Sequence, residues 1–214
     1  YFEAEDYEFI RNNNGEKVLN GKGYPTVKVN AFKPRRLSYF LEGPTRAMKV
    51  LKDKEKSKEL YDKLKKSDVY DKKLKMYKTS ESILDESYDI GRARAFTPGW
   101  LENESIFMHM EYKYMVSLLK AGLYEEFYED IKTVFVPFMD PEVYGRSTLE
   151  NSSFIASSSN PDKSVHGEGF VARLSGSTAE SLEIRNIIMA GEKPFITKGD
   201  DLILDFSPNL PDWL

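Results

Sequence analysis

The stretch PGWLENESIFMHMEYKYMVSLLKAG, residues 98–122, decides the fold of this chain. Between Glu104 and Ala121 its apolar side chains recur almost all the way round a helix, and a helix of that kind is normally buried. Gly122 stands where a glycine commonly ends a helix. We therefore expect a buried helix that is entered through a Pro-Gly-Trp turn and carries one histidine, His109.

Further helices are predicted on both sides of this one. A helical stretch opens at Pro44. Apolar residues at i, i+3, i+4 and i+7 predict a helix from Tyr124 that stops near Pro137. Residues 177–190 predict another, with Gly191 as the residue that ends it. Helices joined by short loops therefore make up most of the chain.

Short strands are predicted near both termini. The turn sequences NNNG and GKG, residues 12–15 and 21–23, indicate one or two hairpins. Near the other end PFITKGDDLILDFSP, residues 194–208, reads as two short strands around a Lys-Gly-Asp turn. The fold class that we expect is mainly α with flanking β.

Composition excludes several classes of protein. A hydrophobic content of 40% and an aromatic content of 13% are typical of globular chains, and no apolar run approaches the roughly 20 residues that span a bilayer. The absence of cysteine excludes disulfides and Cys-ligated metals and fits a cytoplasmic location. The net charge of −4 gives no general reason to expect nucleic acid. Lysines are dense from Lys49 to Lys78, which indicates a solvated helix face or, alternatively, a polyanion-binding stripe.

Two polar clusters are candidates for an anion site. His109 lies among apolar residues, where a histidine is either a core residue or the polar floor of a pocket. The second cluster is HGEGFVARLSGSTAE, residues 166–180. In it Ser175 or Ser177 can cap a helix, and Gly176 lets a ligand approach backbone N–H groups. A capping box completed by Glu180 would explain the same residues without a ligand.

Other residues suit a hydroxyl-rich ligand. Trp100 can stack on the face of a sugar, and Glu102 and Asn103 pair a carboxylate with an amide. Glu150 and the amide that follows it repeat that pairing. Helix capping explains such residues nearly as well. We find no HExxH or EF-hand pattern, no P-loop, no GxGxxG and no GxSxG, so we expect no metal and no nucleotide cofactor.

Four segments carry a resemblance to a known family. GRARAFTPGWLENESIFMHMEYKYM, residues 91–115, resembles the PGxKENGGIFxHA segment of cellobiose-phosphorylase-type glycoside phosphorylases. HGEGFVARLSGSTAE resembles their HGxxxxxWxTGTAAW, and ENSSFI, residues 150–155, stands where they have EPYVY. AFKPRRLSYFLEGPTRAMKVL, residues 31–51, resembles their KIFLNxQTWAVLSG region. The order agrees over most of the chain, and the 1,2-β-oligoglucan (sophorooligosaccharide) phosphorylases are the most similar members.

The resemblance implies both a fold and an activity. Residues 1–192 would be the C-terminal portion of an (α/α)6 catalytic barrel with β-hairpin insertions, and residues 193–214 the start of a C-terminal β-sandwich domain. The reaction would be phosphorolysis of a β-glucosidic bond with inversion, giving α-glucose 1-phosphate. Inorganic phosphate would be the co-substrate, with no cofactor, and a β-glucan oligosaccharide the other substrate.

The resemblance also assigns residues. His109 matches the phosphate-contacting histidine, and Ser175 with Gly176 matches the Thr-Gly phosphate loop. Glu102 matches a glutamate near the acceptor sugar, and Glu150 is a weaker candidate of the same kind.

The chain departs from the family pattern in ways that matter. The family's general acid and phosphate-binding arginines would lie upstream of Tyr1, and no segment here matches the acid motif. Glu104 and Ser105 replace the usual Gly-Gly. We expect this chain to be part of a longer enzyme, inactive alone and associating with the missing part or with a second copy. The alternatives are a non-catalytic carbohydrate-binding or assembly module and an inverting hydrolase on the same scaffold.

Overall fold

The computed structural model describes residues 1–51, 53–171 and 175–214, without the side chain of Ser175. Within these ranges the chain forms two compact units, residues 1–37 and 38–214.

The first unit is a long antiparallel hairpin. Strands β1 (Phe2–Phe9) and β2 (Val27–Pro34) pair along their whole length, with a shift in register around Asp6. The two turn sequences close smaller pairings between these strands, as Arg11 bridges to Lys17 and Leu19 to Pro25. The prediction of hairpins in this region is confirmed.

The second unit contains the helices and the remaining strands. Its helices are α1 (Glu42–Leu51), α2 (Lys54–Lys66), α3 (Met108–Lys120), α4 (Tyr124–Val134), α5 (Pro141–Tyr144) and α6 (Ser175–Ala190). Its strands are β3 (Tyr70–Asp71), β4 (Met76–Tyr77), β5 (Ile106–Phe107), β6 (Phe154–Ile155), β7 (Gly169–Phe170), β8 (Phe195–Lys198) and β9 (Asp201–Leu204). They form three small antiparallel sheets, β3-β4, β5-β6-β7 and β8-β9. Single 3-10 turns lie at Tyr88–Ile90, Arg92–Ala95, Val136–Phe138 and Lys163–Val165.

Helix α3 is the centre of the core, as its apolar pattern predicts. Met108, Tyr112, Met115 and Leu118 are completely buried, and α3 packs against α1, α4 and α6. The helix begins later than its pattern suggests. Residues 106 and 107 form β5 instead, because they pair with β6, a partner that lies far along the chain.

Glycines end two helices where the sequence predicts. Gly122 and Gly191 have φ of +73° and +96°, a left-handed backbone that glycine adopts readily. Their amides donate to Leu119 O and Ile187 O, which satisfies carbonyls in the last turns of α3 and α6. The hairpin β8-β9 around Gly199 is also confirmed.

The helical stretch near Pro44 is two helices. Pro44 lies in the first turn of α1, where its missing N–H costs no hydrogen bond. Asp53 then caps α2, accepting from the Lys56 amide at 3.1 Å. Such a cap stabilises the start of a helix by about 1 kcal/mol, which favours two separate helices over one continuous helix.

No helix in the described ranges combines the length and the apolar character needed to cross a membrane. The partial (α/α)6 barrel, the β-sandwich and the domain boundary after residue 192 stay predictions.

Candidate functional site

His109 is held at the junction of a strand and the buried helix. Phe107 ends β5 opposite Phe154, and α3 starts at the next residue. The Met108 amide donates to Ser153 O at 3.0 Å, which fixes this junction to the strand beside it. His109 therefore stands in the first turn of α3, and its side chain is 30% exposed.

The structure brings His109 against Gly176, the second residue of α6. A Cβ placed on Gly176 would lie 2.6–2.8 Å from three atoms of the imidazole ring. No larger residue fits there unless the ring moves, so two of the three residues assigned to phosphate lie in contact. The third, Ser175, is the first residue of α6, and its side chain lies outside the described residues.

Glu180 is a neighbour of His109 that the sequence did not assign to the site. Its Oε1 lies 3.5 Å from His109 Nε2. The capping box predicted for this helix is wrong, because Ser177 is the third residue of α6 and is fully buried. A capping residue stands before the first turn, not inside it.

Burial is the main cause of a lowered pKa for His109. The charge of Lys113 lowers that pKa further, and Glu180 opposes both effects. With its pKa below the ordinary 6.5, the imidazole is neutral at neutral pH and offers one N–H donor.

A row of aromatic rings crosses the sheet β5-β6-β7 and ends beside His109. Trp100 stacks on Phe170 with ring centres 3.7 Å apart, Phe170 is stacked beside Phe154, and Phe154 beside Phe107. The Phe107 ring then meets the imidazole of His109 edge to face at 5.8 Å. One face of Trp100 is thus covered, and a sugar would have to use the other.

Glu102 is paired with an arginine that the sequence did not single out. Arg92 Nε and Nη2 lie 3.0 and 2.5 Å from the two carboxylate oxygens. This hydrogen bonding is the main reason that the pKa of Glu102 is lowered below its usual value. The ionised carboxylate accepts hydrogen bonds and is unsuited to act as a general acid.

Asn103 holds the turn that also carries Trp100 and Glu102. Its backbone pairs with Gly99 and Trp100, and its Nδ2 donates to Phe96 O at 2.7 Å. Asn103 is completely buried, and its Oδ1 has no partner among the described residues. The turn therefore presents Trp100 and Glu102 at the surface, while Asn103 fixes its shape.

Glu150 makes its contacts away from this turn. It is exposed and pairs with Arg146 at 3.2 Å. The next residue, Asn151, accepts from the Tyr112 hydroxyl at 3.0 Å, which ties this segment to α3. Within the described residues no contact joins Glu150 to Trp100, Glu102 or His109.

A second polar cluster was missed by sequence reasoning. Lys78, Glu104 and Ser159 are mutually hydrogen-bonded, and the Lys78–Glu104 ion pair is nearly buried. The one sequence signal was Glu104 itself, which stands where the resembled motif has glycine. Its φ of +54° is the left-handed conformation that favours glycine.

Across the ranges that the structure covers, no group of three or more His, Cys, Asp or Glu could hold a metal ion. No protein-family model matches this chain, and no curated protein matches it.

Proposed function

We propose that this chain supplies the phosphate and sugar contacts of an inverting glycoside phosphorylase acting on β-glucosidic bonds, with β-1,2-glucooligosaccharides as the first substrates to test. The observation that supports this most strongly is the contact between His109 and Gly176. The two residues are remote in sequence, and the family resemblance assigned both to phosphate.

The chemistry requires that phosphate be held in place. Phosphate attacks the anomeric carbon from one face, while a carboxylic acid protonates the departing oxygen from the other, so the configuration inverts. His109 can donate its N–H to one phosphate oxygen, and Gly176 lies in the first turn of α6, at the positive end of the helix dipole. The acid is not assigned to this chain, and Glu102 is held ionised by Arg92.

Glu180 favours a second candidate, a non-catalytic carbohydrate-binding or assembly module. Its carboxylate lies 3.5 Å from the imidazole that would donate to phosphate. A carboxylate at that distance repels an anion, whereas a histidine–carboxylate pair suits a sugar hydroxyl, which both donates and accepts.

Phosphate binding to the chain separates the two candidates. Inorganic phosphate is titrated into the protein while the backbone amide signals of residues 176–180 in α6 are followed by NMR, with β-1,2-glucooligosaccharide absent and then present. We expect the signals to shift, and the binding to be lost in His109→Ala and kept in His166→Ala. His166 is the matched control, because it contacts Lys73 and Asn160 instead of Gly176.

The other outcomes are equally informative. Glucan binding by a protein that shows no phosphate binding at His109 would favour the binding module. A folded protein that binds neither phosphate nor glucan would contradict both candidates. Release of α-glucose 1-phosphate by this chain alone would contradict the proposal that the acid lies elsewhere.

A further inference from the structure

A polar cleft of about 410 Å³ opens beside the Lys78–Glu104 ion pair. Four segments meet there: residues 68–73 around β3, residues 78 and 82 after β4, residue 104 before β5, and the serine-rich segment after β6. Its lining consists of Asp68, Tyr70, Asp71, Lys72, Lys73, Lys78, Ser82, Glu104 and Ser158.

Lys78 and Glu104 line the cleft and form a triangle of hydrogen bonds with Ser159 behind them. Lys78 Nζ lies 2.9 Å from Glu104 Oε1 and 3.0 Å from Ser159 Oγ, and Ser159 Oγ lies 3.1 Å from the same Glu104 oxygen. The side chains of Lys78 and Glu104 are each 9% exposed. A charge that is removed from water is costly unless it is paired. The Lys78 ammonium and the Glu104 carboxylate therefore hold each other in place.

The triangle keeps unused capacity for hydrogen bonding. An ammonium has three donors, and Lys78 uses two of them here. Both contacts to Glu104 are made by Oε1, and Oε2 accepts no hydrogen bond from the described residues. One donor and one acceptor are therefore left side by side for a ligand.

The cleft is shaped before any ligand arrives. Asp71 accepts from the Ser158 amide and hydroxyl at 2.7 and 2.8 Å, and from the amides of Lys73 and Leu74. These bonds fix the serine-rich segment to the turn after β3. Glu104 is kept in a left-handed backbone conformation, and strain of that kind tends to lie at functional sites.

The charges of the lining select a neutral ligand. Three carboxylates, Asp68, Asp71 and Glu104, are matched by three ammonium groups, Lys72, Lys73 and Lys78. A phosphate would approach Glu104, and a cation would approach Lys78, so each meets a like charge. Two neighbouring hydroxyl groups of a neutral ligand meet no like charge, because one can donate to Glu104 Oε2 while the next accepts from Lys78.

We infer that this cleft is a binding site for a saccharide unit, recognised through two adjacent hydroxyl groups by Glu104 and Lys78, with Ser159 holding both. Tyr70 borders the cleft, and its ring is held by Lys65, whose ammonium lies 4.3 Å from the ring centre, and by the Tyr77 ring. The site goes beyond the proposed function, since it needs neither phosphate nor His109.

The test uses β-1,2-glucobiose (sophorose) as the probe, without phosphate. Backbone amide signals are followed by NMR during the titration, and affinities are measured by calorimetry. We expect the largest shifts at Ser158, Ser159 and Glu104. Ser159→Ala should weaken binding about three- to tenfold, because it removes the hydrogen bonds that hold Lys78 and Glu104 in place. The double variant Lys78→Met/Glu104→Leu, which removes both hydrogen-bonding groups and leaves no unpaired buried charge, should abolish it.

Ser147→Ala is the matched control, because Ser147 is an exposed loop serine that does not line the cleft. It should bind the disaccharide as the wild type does. Circular dichroism checks that each variant is folded. Shifts confined to Trp100 and Glu102, affinity unchanged in the folded double variant, or no binding by the wild type would each overturn the inference. Because phosphate is absent, failure of phosphate binding at His109 does not affect this result.

Discussion

The imidazole of His109 lies so close to Gly176 that a Cβ there would stand 2.6 Å from Nδ1. The first turns of α3 and α6 therefore approach this closely without displacing the imidazole because residue 176 is a glycine. This contact joins two segments that separate sequence motifs had nominated for the same ligand.

Gly176→Ala should destabilise the protein by about 1–3 kcal/mol, the usual cost of overpacking, because the ring must move. Gly43→Ala is a matched control, since Gly43 is also the second residue of a helix and has open space around it. There alanine should stabilise by up to about 1 kcal/mol. Urea unfolding of both variants measures the effects, and equal changes would contradict the contact.

His109 should titrate below its ordinary pKa of 6.5. Lys113→Met should raise the pKa by removing a positive charge, and Glu180→Gln should lower it by removing a negative one. Because the folded pKa is depressed, the unfolded chain takes up the proton first, so stability begins to fall as the pH drops below 6.5 and continues to fall until the pH has passed the lower pKa of the folded state. NMR titration measures the pKa of His109 in the wild type and in both variants. A change of that pKa in the same direction in both variants would refute this explanation.

Glu111 should make the protein less stable as the pH rises. It is completely buried in α3, and burial raises its pKa well above 4.5, so the folded state keeps a proton that the unfolded chain gives up. Glu111→Gln removes this dependence. The free energy of unfolding of Glu111→Gln, relative to that of the wild type, should be greater at about pH 8 than at about pH 5.

The measurement is urea unfolding of both proteins at the two pH values, and a difference that does not grow with pH would count against a protonated Glu111. A second variant isolates the hydrogen bond that Glu111 accepts from the Tyr77 amide at 2.7 Å. Glu111→Met leaves that buried amide unpaired and should cost about 1–3 kcal/mol.

Arg92→Ala should raise the pKa of Glu102, because the arginine is the main cause of its lowered value. The pair lies at the surface, so stability should change by less than about 1 kcal/mol. Carboxyl ¹³C NMR titration measures the pKa. Arg94→Ala is the control, since Arg94 donates to Glu86 O and not to Glu102. An unchanged pKa in Arg92→Ala would show that the pair does not hold in solution.

The sequence predicted elements whose signals are local. The buried pattern of α3, the glycines after α3 and α6, and the turn at Gly199 depend on a few neighbouring residues, and each prediction is confirmed. Long-range pairing was not visible. Residues 106 and 107 form a strand instead of a helix because they pair with β6, and the sequence around them does not indicate that pairing.

The same distinction applies to the candidate site. His109 and Gly176 were nominated separately, and the fold puts them in contact. Arg92 was not singled out and Glu180 was considered only as part of a capping box, since any carboxylate offers many possible pairings in sequence. Lys78 was read as part of a solvated lysine-rich face and Glu104 as a departure from the family motif, and the fold buries the two together.

The place of His109 in the first turn of the most buried helix has an energetic consequence for any ligand. Side chains on mobile loops lose conformational freedom when they bind, and this loss subtracts from affinity. The backbone of His109 is already immobilised when the core forms, so binding a ligand costs no further backbone entropy at this residue. A ligand at this imidazole would meet a preorganised donor, and mutations that loosen the packing of α3 should weaken binding without touching the ligand.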